Sequence, residues 1–131
     1  MASIEDAAAI ARGLPEVTEG SRYRNRAWSV ADKAFAWERP LSKADIKRFG
    51  DVTPPPGPIL AVQVADLSDK EAVLAAGHKG FFTIPHFDGY AAVLIELDVV
   101  GKKALREAIT DGWLACAPPE LADAFMRRQR S

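Results

Sequence analysis

Apolar residues fall along this chain in two rhythms. Near the start, Ile4, Ala7, Ala8, Ala11 and Leu14 recur every three or four residues and predict one face of a helix. Ser3 stands at its N-cap, Glu5 and Asp6 occupy the first turn, and Gly13 and Pro15 stop it. A polar connection over residues 18–21 follows. Alternation then takes over. In residues 23–30, Arg24, Arg26, Trp28 and Val30 share one strand face, with Tyr23, Asn25, Ala27 and Ser29 on the other. A turn at Ala31-Asp32 leads to a second strand in which Phe35 and Trp37 project together. Trp28, Val30, Phe35 and Trp37 are expected to meet in the core.

Pro40 breaks this pattern. Residues 42–50 predict a short helix, capped by Ser42, completed as a capping box by Asp45 and ended at Gly50. Residues 53–58 (TPPPGP) form a stiff connection too short to separate domains. Residues 59–65 (ILAVQVA) are nearly continuous apolar and predict a central strand buried on both faces. Residues 68–71 (SDKE) read as a second capping box, opening a helix that turns Ala72, Val73 and Ala76 inward and stops at Gly77. Residues 81–97 (FFTIPHFDGYAAVLIEL) hold two apolar runs joined by Asp88-Gly89, a strong hairpin signal. A two-residue turn there sets Phe87 opposite Tyr90, His86 opposite Ala91 and Ile84 opposite Val93. Pro85 makes the first of these strands an edge, or bulged. Leu105, Ala108, Ile109, Gly112 and Trp113 then form one helical stripe. Pro118 and Pro119 open a last helix with Leu121 and Phe125 inward. Hairpin-linked strands with helices gathered around them predict an α+β fold. The expectation is a single domain over residues 1–131, with an antiparallel sheet of about five strands and helices packed on it.

Composition narrows the function classes. The 131 residues carry a formal net charge of -1, which excludes a uniformly basic surface but not a local basic patch. The single Cys116 excludes an intramolecular disulfide, and with two histidines it argues against a structural zinc site. No metal and no cofactor are expected. The start, MASIEDAAAIARG, lacks a basic region before a long apolar run, and no stretch approaches the roughly 18 apolar residues of a membrane span. A cytoplasmic protein without membrane contact, favoured as a monomer, is the expectation.

Three groups of residues carry candidate chemistry. His86 and Asp88, two apart, would share a strand face, where the carboxylate orients the imidazole for acid–base work. Asp88 equally suits a turn for backbone reasons alone, and His86 a local hydrogen bond. No serine or cysteine nucleophile has a motif around it, so the reading leans away from an enzyme. The aromatics Tyr23, Trp28, Phe87, Tyr90 and Trp113 suit either a core or a pocket; His86, Asp88, Tyr90 and Trp113 are the small-molecule candidates. Arg22, Arg24 and Arg26 alternate along one strand, and Arg127, Arg128 and Arg130 make a basic tail. A basic hairpin can track a phosphate backbone with Tyr23 stacking on a base, or it can simply guard an edge strand against aggregation.

LPEVTEGSRYRNRAWSVADKAFA, FFTIPHFDGYAAVLIELD and the tryptophan-ended helix followed by Ala117-Pro118 resemble the MmcQ/YjbR family. Pro85, His86, Phe87, Asp88, Gly89 and Tyr90 carry the most specific part of that resemblance. The polar entry SRYRNRA and the insertion around residues 42–58 depart from it. The resemblance implies a CyaY-like, "double wing" fold akin to DNA-binding modules, in a family mostly of unknown function. The expected function is a non-catalytic binding domain, with weak nucleic-acid binding through the first hairpin and tail. The alternative is a small-molecule module of resistance or sequestration type with an aromatic and histidine pocket near PHFDGY, and an enzyme comes last.

Overall fold

Two apolar runs make the centre of the sheet. β4 (Ile59–Gln63) and β6 (Ala92–Glu96) pair antiparallel, with Leu60 opposite Ile95 and Val62 opposite Val93. Both of their faces are covered, so neither run alternates. The computed structural model describes residues 2–130, and the side chain of Arg130 lies outside the described residues. β1 (Thr18–Arg22), β2 (Asn25–Val30) and β3 (Lys33–Glu38) extend the sheet on one side as a meander, and short β5 (Phe81–Phe82) closes the other. The strand order is β1-β2-β3-β4-β6-β5, with antiparallel neighbours throughout. The fold is α+β, with six strands and five helices among the described residues.

One face of the sheet carries α1 (Ile4–Arg12) and α4 (Lys102–Cys116), with α5 (Pro119–Arg130) behind them. Trp28, Val30, Phe35, Leu60 and Ile95 from the sheet meet Leu105, Ile109 and Trp113 from α4, all nearly free of solvent. Side chains buried this completely contribute roughly 1.5–3 kcal/mol each. The stripe on α4 is the predicted one, and Gly112 explains its close approach. A Cβ at Gly112 would stand 2.8 Å from Val62 Cγ1 and 3.1 Å from the Phe35 carbonyl oxygen. Ser3 caps α1 with Asp6 answering back, a capping box.

The other face is covered differently. Ala27, Trp37, Ile59, Ala61 and Leu94 are roofed by Ile84 and Phe87, with Leu41 and Phe49 beside α2 (Lys43–Arg48). The predicted capping box of Ser42 and Asp45 starts α2.

Five expectations need correction, the last of them the largest. Residues 18–21 belong to an edge strand rather than a connection; β1 is polar and mostly exposed on both sides, so it shows no apolar alternation. The strand predicted over residues 23–30 is interrupted at its start, where Tyr23 (φ 51) and Arg24 (φ 69) turn the chain in the left-handed region. Arg22 therefore pairs with Asn25, Ser21 pairs with Arg26, and the two arginines point to opposite faces. Phe35 and Trp37 also part company. The pairing shifts between Trp28↔Ala36 and Ser29↔Ala34, so Phe35 is an extra bulged residue that stays in the first core while Trp37 turns to the second. Finally, helix α3 (Leu67–Ala75) is capped by Asp66, not by a Ser68 box.

The largest correction concerns residues 81–97. Phe81 pairs with Ile95 and Phe82 with Leu94, and pairing stops there. Pro85–Phe87 forms a 3₁₀ turn instead of a strand, and Asp88-Gly89 is not a hairpin turn. Pro85 lacks the N–H a ladder needs and suits the first position of a helical turn. The loop then drops Ile84 and Phe87 onto the second face, where burial rewards them more than continued pairing.

Candidate functional site

The loop of residues 84–91 is held by an unexpected group. Lys70 of α3 is buried, and its Nζ donates to the carbonyl oxygens of Phe87 (2.6 Å) and Tyr90 (2.9 Å). Burial pulls the Lys70 ammonium below its ordinary value, and the nearby charge of Asp88 opposes that shift. Within the loop, Phe87 and Tyr90 pack edge to face at 5.4 Å, and Tyr90 lies 6.3 Å from Trp37.

Beside this loop lies a groove of about 600 Å³, between the tip of the first hairpin, the end of β3, α2 and His86. Trp37 reaches it because the β3 bulge turns that ring to the second face. The guanidinium of Arg22 sits 4.6 Å from the centre of the Trp37 ring and 5.8 Å from that of Tyr23. No carboxylate lies within ion-pair distance of Arg22 among the described residues. Arg39, by contrast, is pinned. Its Nη2 stands 3.0 Å from Asp45 Oδ2, its Nη1 donates to the Pro40 carbonyl oxygen, and it lies over the Phe87 ring. Arg48 approaches Asp45 at 4.0 Å. Burial pushes the Asp45 carboxyl up, but hydrogen bonds from Ser42 and the Arg39 charge outweigh it and hold the group below its usual range. Asp45 thus remains an anion that fixes both the α2 cap and Arg39.

The candidates from the sequence are divided by this geometry. Arg22, Tyr23 and His86 line the groove together. Arg24 is exposed at the hairpin tip. Arg26 lies on the opposite face and is taken up by acids: it donates to Glu19 and Glu5 and stacks on Trp28. The Arg26 bonds hold the Glu19 carboxyl down at about 2, outweighing an opposing burial effect with further help from Trp28 and Arg12. Tyr90 is half-buried behind the groove, and Asp88 is exposed next to Lys70 rather than paired with His86. Trp113 lies in the first core, where its indole N–H donates to the Pro15 carbonyl oxygen at 3.0 Å and its ring meets Phe125. Arg127 and Arg128 are exposed on α5, and the side chain of Arg130 is outside the described residues.

No group of three or more metal-ligating side chains occurs among the described residues, and burial pushes the Cys116 thiol up, away from the thiolate a nucleophile needs. A slightly larger cavity of about 680 Å³ opens between α1, α4 and α5, but Ile10, Leu14, Leu114 and Phe125 dominate its lining. The groove on the second face is where cations, rings and a histidine converge, an arrangement suited to holding an anion.

Trp37, Arg39, Arg48 and Lys70 were absent from the sequence candidates. Trp37 read as plain core, and only a bulge could have placed it elsewhere. Arg39 and Arg48 flank the Ser42–Asp45 capping box, so the buried Asp45 that binds them was the available signal. Lys70 sits inside SDKE, which reads as a solvent-facing first turn.

No family model matches the chain. Three relatives match along nearly its whole length: the uncharacterised proteins Rv2570 and MT2646 of two Mycobacterium tuberculosis strains and Mb2600 of Mycobacterium bovis. Each is 43% identical over 129 residues, which cover 96% of this chain and 97% of the relative. No solved structure matches. Among the described residues no helix is long and apolar enough to cross a membrane.

Proposed function

The chain belongs to one family with these uncharacterised mycobacterial proteins, and from its groove we propose that it is a non-catalytic domain binding a small anionic molecule. One observation carries this reading. Arg22 lies over Trp37 with no carboxylate within ion-pair distance among the described residues, whereas Arg39 and Arg48 of the same groove share Asp45. A guanidinium held over a ring and free of an ion pair keeps donors available and has lost rotamer freedom before any ligand arrives. That suits a carboxylate or phosphate approaching in the ring plane. We place the family with the MmcQ/YjbR proteins; the PHFDGY block and the helix-backed antiparallel sheet support that placement.

Titration with small carboxylates and phosphates, followed by amide NMR shifts, tests the proposal. Saturable shifts around Arg22, Trp37 and His86 are expected, lost in Arg22→Ala and kept in Arg26→Ala. Absence of saturable shifts, or loss in Arg26→Ala instead, would sink it.

Tyr23 supports a second reading, weak nucleic-acid binding by the hairpin tip, because it is 85% exposed between Arg22 and Arg24. That reading requires mobility shifts at about 50 mM salt that weaken in both Arg24→Ala and Arg26→Ala. The opposed faces of Arg22 and Arg26 make it the weaker of the two.

A further inference from the structure

The groove has a countable charge. Arg22, Arg39 and Arg48 line it with the carboxylates of Glu38 and Asp45, which leaves one positive charge among these five groups. Asp45 is committed to Arg39, Arg48 and the α2 cap, and Glu38 accepts the backbone N–H of Arg26 at 2.9 Å. Of the three arginines, Arg22 is the one with no ion pair among the described residues. A single negative charge neutralises that excess, and each further charge would leave the occupied groove net negative. Around Arg22 the walls are flat and largely apolar: the rings of Tyr23 and Trp37, with Pro40 and Leu41 beyond.

The hairpin tip adds a second, independent observation. Tyr23 and Arg24 both hold left-handed backbone, where a two-residue turn prefers Asn-Gly. The neighbouring turn has the same shape but uses small residues, Ala31 and Asp32. Tyr23 gains little from burial, being 85% exposed, so packing does not offset its strain. Backbone strain of this kind collects where a side chain is needed for contact with something else.

We infer that the groove takes a planar aromatic ring carrying a single negative charge, with the charge on Arg22 and the ring against Tyr23, which holds its strained place for that contact. This rests on the anion-binding reading above and names the class of ligand.

Four probes separate the parts: naphthoate (ring and one charge), acetate (charge only), naphthalenemethanol (ring only) and adenosine triphosphate (ring and several charges). In calorimetric titrations naphthoate is expected to bind about tenfold tighter than each of the others, since it alone gains both contacts. Replacing the tip with its preferred pair, Tyr23→Asn with Arg24→Gly, is expected to raise the melting temperature. The same change should weaken naphthoate about threefold or more while leaving acetate unchanged. Tyr23→Phe keeps the ring and should keep naphthoate binding. Acetate equal to naphthoate, or the triphosphate tighter, overturns this inference and leaves the anion site standing, provided Arg22→Ala still abolishes binding. No saturable binding of any probe overturns both. An Asn-Gly tip that melts lower, or binds naphthoate as well as before, removes Tyr23 from the site.

Discussion

The two faces of the sheet are built from the same strands and serve different ends. On the first face, long amphipathic helices press onto Trp28, Phe35, Leu60 and Ile95, and the hairpin's Arg26 is bound by Glu19 and Glu5. On the second, the cover is short and irregular: α2, a 3₁₀ turn and a loop held by Lys70. Arg22 lies only four residues from Arg26 in the sequence yet meets a tryptophan instead of a carboxylate. The lesson is one of division. A face sealed by a 15-residue helix closes its strand side chains off from solvent, and the cavity on that side lies between helices with a mainly apolar lining. A face roofed in pieces leaves gaps between them, and the polar groups at those gaps stay available.

That contrast can be broken in three places. Trp113→Ala should act most strongly, because it opens a void in the sealed layer and frees the Pro15 carbonyl. A loss of about 3–5 kcal/mol in urea unfolding is expected. A loss below about 1 kcal/mol would mean that the first layer does not carry the fold. Lys70→Met comes next. It removes the charged donor from two carbonyls, which keep the backbone N–H of Tyr90 and of Ala92, and should cost about 1–3 kcal/mol, with the groove probes weakened because His86 shifts with its loop. Unchanged unfolding would show that the loop is held by apolar packing alone. The smallest effect concerns Glu19. Its carboxyl lies at about 2 in the folded chain against an ordinary value near 4.5. A depressed acid stabilises fully above its unfolded value, so this contribution is complete above about pH 4.5 and drains away as pH falls towards 2. Thermal melts should show an acid limb there that Glu19→Gln flattens. An identical limb in the variant would shift the origin of acid sensitivity elsewhere, towards Asp45.

Much of this was readable in the sequence wherever one physical effect dominated. The Ser3 and Ser42 caps, the α4 stripe and the two central strands follow from local hydrogen bonding or burial, and the structure contains each of them. The failures have a common cause. β1 is polar on both sides because it is an edge, so nothing periodic betrays it. Tyr23-Arg24 turns the chain without glycine or asparagine, the residues that normally announce such a turn. At residues 81–97 two signals conflicted, Asp88-Gly89 for a hairpin and Pro85 against a strand, and proline prevailed. His86 and Tyr23 were legible as candidates. Their partners were not, because Trp37 reaches the groove through a bulge and Lys70 through a tertiary contact.

Lys70 also decides which wall of the groove can move. It bonds carbonyls 17 and 20 residues further along the chain, and it does so from inside a helix and away from water. The loop bearing His86 cannot swing on its own without stranding an ammonium among apolar groups. Any displacement must carry α3 with it as one body, a slow and costly motion. The hairpin tip is under no such restraint. On the proposed reading, adaptation to a ligand falls to Tyr23 and its turn rather than to the wall held by Lys70.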